Sequence, residues 1–327
     1  MRPYYPTLFL LLFSISLIAQ NVVSPFQSGF YAPGNLGVRD LSYPMKSGLI
    51  FSDYNIFINS DKFKNIDGDE INGFGPIPFH IDVSGYINNL MLTYASEKIS
   101  FLGNARYMAI LAPSFSTISI NSALGRLKHK KEITGGSSGF GDLAVAPVYL
   151  SWEFDKLDFT AGYMFVTPTG RYKTGADNNI GLGYWSHLLQ AALFYYPLPQ
   201  KATAITIMPT YEFHGKIKDV IVTPGGRFSL DYGVSQYFSR RFDVTLQGGH
   251  TWQVGEDSGN DVYWDKSLKD KSNMISVGAG YWLLSEILYV NLKWATTYGE
   301  HQNFSINSYV GQVVFAPSFK NKSTINN

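Results

Sequence analysis

From about residue 47 onward the chain alternates apolar and polar side chains in runs of about 11–14 residues, and a period of two admits only strands. Phe228, Leu230, Tyr232, Val234 and Phe238 share one face of such a run; Ser229, Asp231, Gly233 and Ser235 take the other. Phe242, Val244, Leu246 and Trp252 oppose Asp243, Thr245, Gln247 and Thr251. Leu288, Val290, Leu292 and Trp294 oppose Tyr289, Asn291 and Lys293. Strands of soluble sandwiches are typically about 5–6 residues, whereas a tilted strand crossing a bilayer needs about 9–11. Length therefore favours the membrane. Trp or Tyr also sits near an end of many runs (Tyr94, Tyr107, Trp152, Trp185, Tyr195, Tyr211, Trp252, Trp282, Trp294), where an apolar ring with a polar tip meets a membrane interface.

The connections set the architecture. Short turns fall near Ser96–Lys98, Phe154–Lys156, Pro197–Lys201, Ser239–Arg240 and Leu284–Glu286. Long polar or Gly-rich loops fall near 59–78, 113–140, 167–183, 215–225, 254–272 and 299–305. Strict alternation of long and short predicts an all-β, up-and-down antiparallel transmembrane barrel of about 12 strands, range about 12–14, with both termini periplasmic. Composition agrees: 22 Tyr, 23 Phe and 31 Gly sit beside a mean hydropathy of −0.05, as an apolar outside around a polar inside requires.

Composition also excludes. With 26 Lys plus Arg against 25 Asp plus Glu, the net charge of +1 offers no bulk attraction to nucleic acid. No Cys is present, so disulfides, thiol nucleophiles and the Cys-anchored class of exported lipoproteins are ruled out. Arg2 followed by the apolar run Leu8–Ala19, broken by Ser14 and Ser16, has the length of a cleavable signal peptide, with cutting expected between Ala19 and Gln20. The expected organisation is a signal peptide over 1–19, an N-terminal segment over 20–46, a barrel over 47–319 and a periplasmic tail over 320–327.

An ordered set of short motifs carries a family resemblance. Gly29-Phe30-Tyr31-Ala32-Pro33-Gly34, then Gly37, Asp40, Pro44 and Gly48, lead into a first strand holding Tyr54. Gly139-Phe140-Gly141-Asp142-Leu143 follows, with Pro147 and Trp152, then Pro168-Thr169-Gly170 with Tyr172. Gly181-Leu182-Gly183-Tyr184-Trp185 and Leu230-Asp231-Tyr232-Gly233 complete the set. Over about residues 29–315 the chain resembles the outer-membrane family labelled for meta-pathway phenol degradation. The resemblance implies a transporter-like barrel of the bacterial outer membrane that handles aromatic or other hydrophobic compounds. The chain departs from a common barrel ending, because Phe319 is followed by Lys320 to Asn327.

Function is expected in three places. Taking the polar parity as inward, Asn104, Arg106, Gln190, Glu212, His214, Asp231, Gln247, Asn291 and Lys293 line the lumen, either as a paired polar filling or as a solute-selecting constriction. The segment 20–46, with Pro25, Pro33 and Pro44 and no alternation, folds into the lumen as a plug through Arg39 and Asp40, or else hangs as a periplasmic tail. Pro147, inside an alternating strand, removes a ladder donor; with Asp142 it marks a bend in the wall or a lateral opening.

Catalysis and metal binding are less favoured. Adjacent Ser186 and His187 point to opposite faces and cannot form a dyad, but Glu212 and His214 share a face and Ser229 is a candidate nucleophile beside them. Asp257, Asp261 and Asp265 with Glu256 depart from calcium-loop spacing, and the basic cluster Arg126, Lys128, His129, Lys130, Lys131 reads as a solvated loop with reach to lipid phosphates. The favoured function is passive uptake of small hydrophobic or aromatic compounds, without enzyme activity, cofactor or metal. Its partners would be outer-membrane lipids, the solute and the outer-membrane insertion machinery. The alternatives are a structural or surface-binding barrel without transport and, last, a lipid esterase or deacylase.

Overall fold

The computed structural model describes Ser24 and residues 29–74, 77–124, 131–176 and 178–317. The expected signal peptide, most of the basic cluster 126–131 and the tail 320–327 lie outside the described residues. The strands are β1 (Gly48–Lys64), β2 (Gly73–Phe74), β3 (Ile77–Ile99), β4 (Ala105–Ala112), β5 (Ser114–Leu124), β6 (Lys131–Phe140), β7 (Leu143–Glu153), β8 (Leu157–Thr167) and β9 (Ser186–Tyr195). They continue as β10 (Thr203–His214), β11 (Arg227–Tyr237), β12 (Phe242–Gln253), β13 (Lys271–Leu284), β14 (Leu288–His301) and β15 (Asn303–Phe315).

Twelve of them close a ring in the order β1, β3, β4, β7 and then β8 to β15, with β15 returning to β1 and every neighbour antiparallel. Closure leaves the spanning wall without an edge, so apart from local bulges its backbone groups pair strand to strand, as hydrocarbon demands. Outward positions carry Leu189, Leu193, Ile205, Ile207, Leu246, Val277, Leu292 and Val313, all exposed on the molecule. A row of rings runs around the wall near the long-loop rim from Trp185 through Phe165, Tyr163, His187 and Phe213 to Tyr211, with neighbouring centroids 5.0–6.2 Å apart. One polar patch on the outer face is a ladder on β1 and β3, in which Asn88 and Asn55 donate to Asp53 at 2.6 and 3.0 Å and Tyr86 donates to Asn55 at 2.6 Å.

Three connections differ from the sequence reading. The turn placed at Ser96–Lys98 lies inside β3; the chain reverses at Ser100–Asn104, where Gly103 (φ 66°) and Asn104 (φ 61°) take left-handed conformations. The loop placed at 113–140 is largely strand. β4 and β5 form one long strand bent at Pro113, and β6 and β7 form another bent at Gly141–Asp142. The lower part of β3 pairs with β4 and its upper part, Phe79–Asn89, with β5, which pairs in turn with β6. This sheet therefore rises above the rim set by the top of β8, which is why its Ser, Thr and Gly residues read as a loop. The third departure is at 299–305, where only Gln302 (φ 54°) separates β14 from β15.

Candidate functional site: the lumen and the segment inside it

Residues 29–47 lie within the ring. Their backbone has no sheet partner, so its N–H and C=O groups are met by short internal turns, such as Asp40 N–H to Gly37 and Ser42 N–H to Arg39, and by wall side chains. Phe30 and Tyr31 donate their N–H groups to the Glu212 carboxylate at 2.8 and 3.1 Å. Gly34 donates to Asp231 Oδ1 at 2.7 Å, and Tyr31 Oη donates to Oδ2 at 2.7 Å. Lys293 Nζ donates to the consecutive carbonyls of Gly34, Asn35 and Leu36. Gly34 holds φ +82°, a left-handed turn that selects glycine, and its open side faces the flexible end of Met274.

Lower in the barrel Arg39 Nε donates to Ser235 Oγ at 2.8 Å and Arg39 Nη2 to the carbonyls of Lys201 and Ala202 at 3.0 and 3.1 Å. Its guanidinium also lies 4.8 Å from the Tyr237 ring centroid. Asp40 accepts from Tyr54 Oη at 2.7 Å and Gln312 Nε2 at 3.1 Å. Arg106 Nε donates to Tyr43 Oη at 3.1 Å.

Of the lumen candidates, Arg106, Gln190, Glu212, His214, Asp231, Gln247, Asn291 and Lys293 are buried. Asn104 is exposed in the turn after β3 and does not line the lumen. Charged lumen candidates turn mainly to the inner segment instead of pairing across the wall. Full ion pairs sit elsewhere: Arg227 with Asp270 at the upper rim and Lys201 with Asp158 at the lower. Among these contacts Tyr54, Ser235 and Gln312 were missed as site residues; their inward parity was the available signal.

The inner wall is divided. Polar side chains cover the arc from the top of β10 through β14, with Glu212, Ser229, Asp231, Gln247, Ser276 and Lys293 all buried. The arc from β3 to the lower part of β10 carries an apolar cluster, in which Met91, Met108, Ile110, Met164, Phe194 and Met208 pack with Leu36 and Leu41 of the inner segment, interspersed with the buried polar Arg106, Ser151, Thr160 and Gln190. Below the segment lies a cavity of about 1180 Å3 open toward the short-turn rim, lined in part by Met108, Ile110, Arg106, Lys98, Lys201 and Tyr289.

In the apolar arc, Pro147 interrupts the wall on both sides. The β4–β7 register shifts between Met108 and Ile110, and the β7–β8 register shifts between Val145 and Val148. The stranded Pro147 carbonyl accepts from Tyr107 Oη at 2.6 Å. Directly above, Asp142 accepts from the N–H groups of Gly170 at 2.8 Å and Leu182 at 2.7 Å, folding the 168–183 loop against the bend. Burial raises the Asp142 carboxyl above the ordinary carboxylate range despite those N–H groups.

Glu212, His214 and Ser229 do not assemble as a catalytic triad. His214 Nδ1 meets Ser186 Oγ at 3.0 Å, and Glu212 approaches that same nitrogen at 3.7 Å, so no relay through the ring is formed. Ser186 is fully buried, while Ser229 donates to Thr251 at 2.9 Å and is not aimed at the histidine. Asp257 accepts from Trp264 Nε1, Gly225 N and Gln253 Nε2, Asp261 from Ile221 N, and Asp265 from Ser267. These acids organise loops. Among the described residues no group of three could hold a metal.

A closed twelve-stranded antiparallel ring with an apolar outside defines a transmembrane β-barrel of the outer-membrane type. Residues 60–308 match the family described as MetA-pathway of phenol degradation, and the chain belongs to that family. An outer membrane channel from Pseudomonas putida F1 shares the fold with a TM-score of 0.65 at 14% identity, covering 87% of this chain and 99% of that one. Weaker likenesses are the transport unit of the autotransporter AIDA-I from Escherichia coli (0.48, 12% identity, 97% and 100% covered) and a FadL homologue from Pseudomonas aeruginosa (0.41, 9% identity, 90% and 97% covered). No protein of curated function matches the sequence significantly.

Proposed function

We propose that the protein is an outer-membrane channel for passive uptake of small hydrophobic or aromatic compounds, with the short-turn rim facing the periplasm. The observation that carries this reading is the division of the inner wall. A hydrophilic pore needs a continuous polar lining, yet here the polar arc is spent on fixing the inner segment in place. What remains beside the segment is a methionine-rich surface, whose flexible thioethers repack around guests of varied shape. The doubly interrupted strand at Ala146–Pro147 backs onto that surface, so a guest moves between the apolar arc and the bilayer when the seam parts. Asp142, Pro147, Arg39 and Asp40 are assigned to seam and plug accordingly. The family's phenol-degradation label and the channel from P. putida agree with such a role.

Uptake by liposomes of labelled aromatics, fatty acids and sugars tests this. Entry of aromatics or fatty acids with exclusion of sugars is expected; equal entry of sugars rejects it, and no entry of any solute favours a structural barrel.

A further inference from the structure

The raised sheet above the rim reverses the barrel's polarity. Tyr54 points to the axis, where it meets Asp40, and this fixes the parity of β1 and its neighbours. On the axis side Ile58 faces Gly85 and Ile118 in register, Ser60 faces Val83 and Ile120, and Ile81 faces Ser122. On the opposite side Ser84 pairs with Ser119, Asp82 with Asn121 and Tyr86 with Thr117. In the membrane wall the apolar side looks out; in the extension it looks in. Ile120 is 42% exposed, and among the described residues no buried apolar cluster includes Val83, Ile118 or Ile120.

This face joins the lumen. Ile58 and Ile87 pack on the Tyr54, Ile56 and Val310 cluster together with Leu36 and Met91, and Leu36 and Met91 also pack on the methionine arc. Toward β6 the face is bounded by the 168–183 loop, where Arg171 donates to Ser137 Oγ at 2.6 Å. The reverse of this sheet is polar, and on the axis side the apolar row Ile81, Val83, Ile118 and Ile120 ends at Ser137, the register partner of Ile118, where the Arg171 guanidinium is held.

We propose that the axis side of the raised sheet is a receiving site for uncharged hydrocarbon or aromatic solutes, ahead of the lumen. The proposal rests on the uptake reading. Its location outside the bilayer lets a solute be captured from water before any membrane encounter.

The test uses the full-length protein in proteoliposomes and a photoactivatable phenyl diazirine bearing an alkyl chain, followed by peptide mass spectrometry. Labelling at Val83, Ile118 and Ile120, displaced by excess unlabelled alkylbenzene, is expected. The combined variant Val83→Ser, Ile118→Ser, Ile120→Ser should lose that labelling and raise the half-saturating concentration for alkylbenzene uptake on the order of tenfold, with the saturated rate unchanged. Heat-modifiable mobility confirms that the variant folds. Equal labelling of Ser84 and Ser119, or an unchanged concentration dependence in the variant, overturns the site. So does labelling that arises only after residues 20–28 are deleted, which would mean that the chain covers its own face. Competed labelling without any flux supports the site and removes the uptake reading; normal saturable flux with an unlabelled face removes the site alone.

Discussion

The two halves of the inner wall face the same segment and treat it differently. The polar arc holds it through directed bonds: Lys293 to three carbonyls, Asp231 to an N–H and a hydroxyl, Glu212 to two N–H groups. The apolar arc packs against it through methionine and isoleucine side chains and adds separate bonds from Thr160 to the Leu41 carbonyl, Thr206 to the Val38 carbonyl and Arg106 to the Tyr43 hydroxyl. Directed bonds lock one geometry, whereas dispersion contacts tolerate repacking. On the proposed uptake reading, anchorage and passage fall mainly on opposite sides of one lumen, and the interrupted strand at Pro147 lies on the methionine-rich side.

The largest effect expected from this division is on deleting residues 20–45, which removes all anchored contacts at once. Single-channel conductance should rise severalfold, and an unchanged conductance would show that the segment does not limit the pore. Next, Leu111 and Val145 are directly opposite across β4 and β7 just above the bulge, within reach of a disulfide in a chain with no other Cys. The oxidised Leu111→Cys, Val145→Cys pair should lose most aromatic uptake, regained on reduction, while conductance stays level; uptake that ignores the disulfide would place the route elsewhere.

On the polar side, Glu212→Ala strands the Phe30 and Tyr31 N–H groups, worth roughly 1–3 kcal/mol each when buried without a partner. Thermal unfolding should shift down accordingly, and a silent substitution would mean that the segment finds other partners. Smallest is Asp142→Ala, which frees the 168–183 loop at Gly170 and Leu182; faster proteolytic cutting within the loop is expected at nearly unchanged barrel stability.

Sequence reading located the strands because lipid on one side and the lumen on the other enforce a period of two. It placed Lys293, Asp231 and Glu212 inside for the same reason, as a paired polar filling or a solute-selecting constriction, and did not name the backbone of the inner segment as their partner. Their partners are backbone groups of a segment with no periodicity, up to 259 residues away in the chain, and nothing local announces such a contact. The apolar arc was hidden differently. Tyr107, Met108, Ala109, Ile110 and Leu111 form an unbroken apolar run, and that loss of alternation was itself the available sign of a strand apolar on both faces. The raised sheet was read as a loop because its outward side meets water, so its alternation runs opposite to that of the wall.

The separation of roles is tested most directly by recording labelled-aromatic uptake and ion conductance on the same preparations of Lys293→Met and Met164→Asn. The first should loosen the segment and raise conductance while uptake holds; the second should depress uptake and leave conductance alone. If both variants move both quantities together, the lumen works as a single undivided pore and the account is wrong.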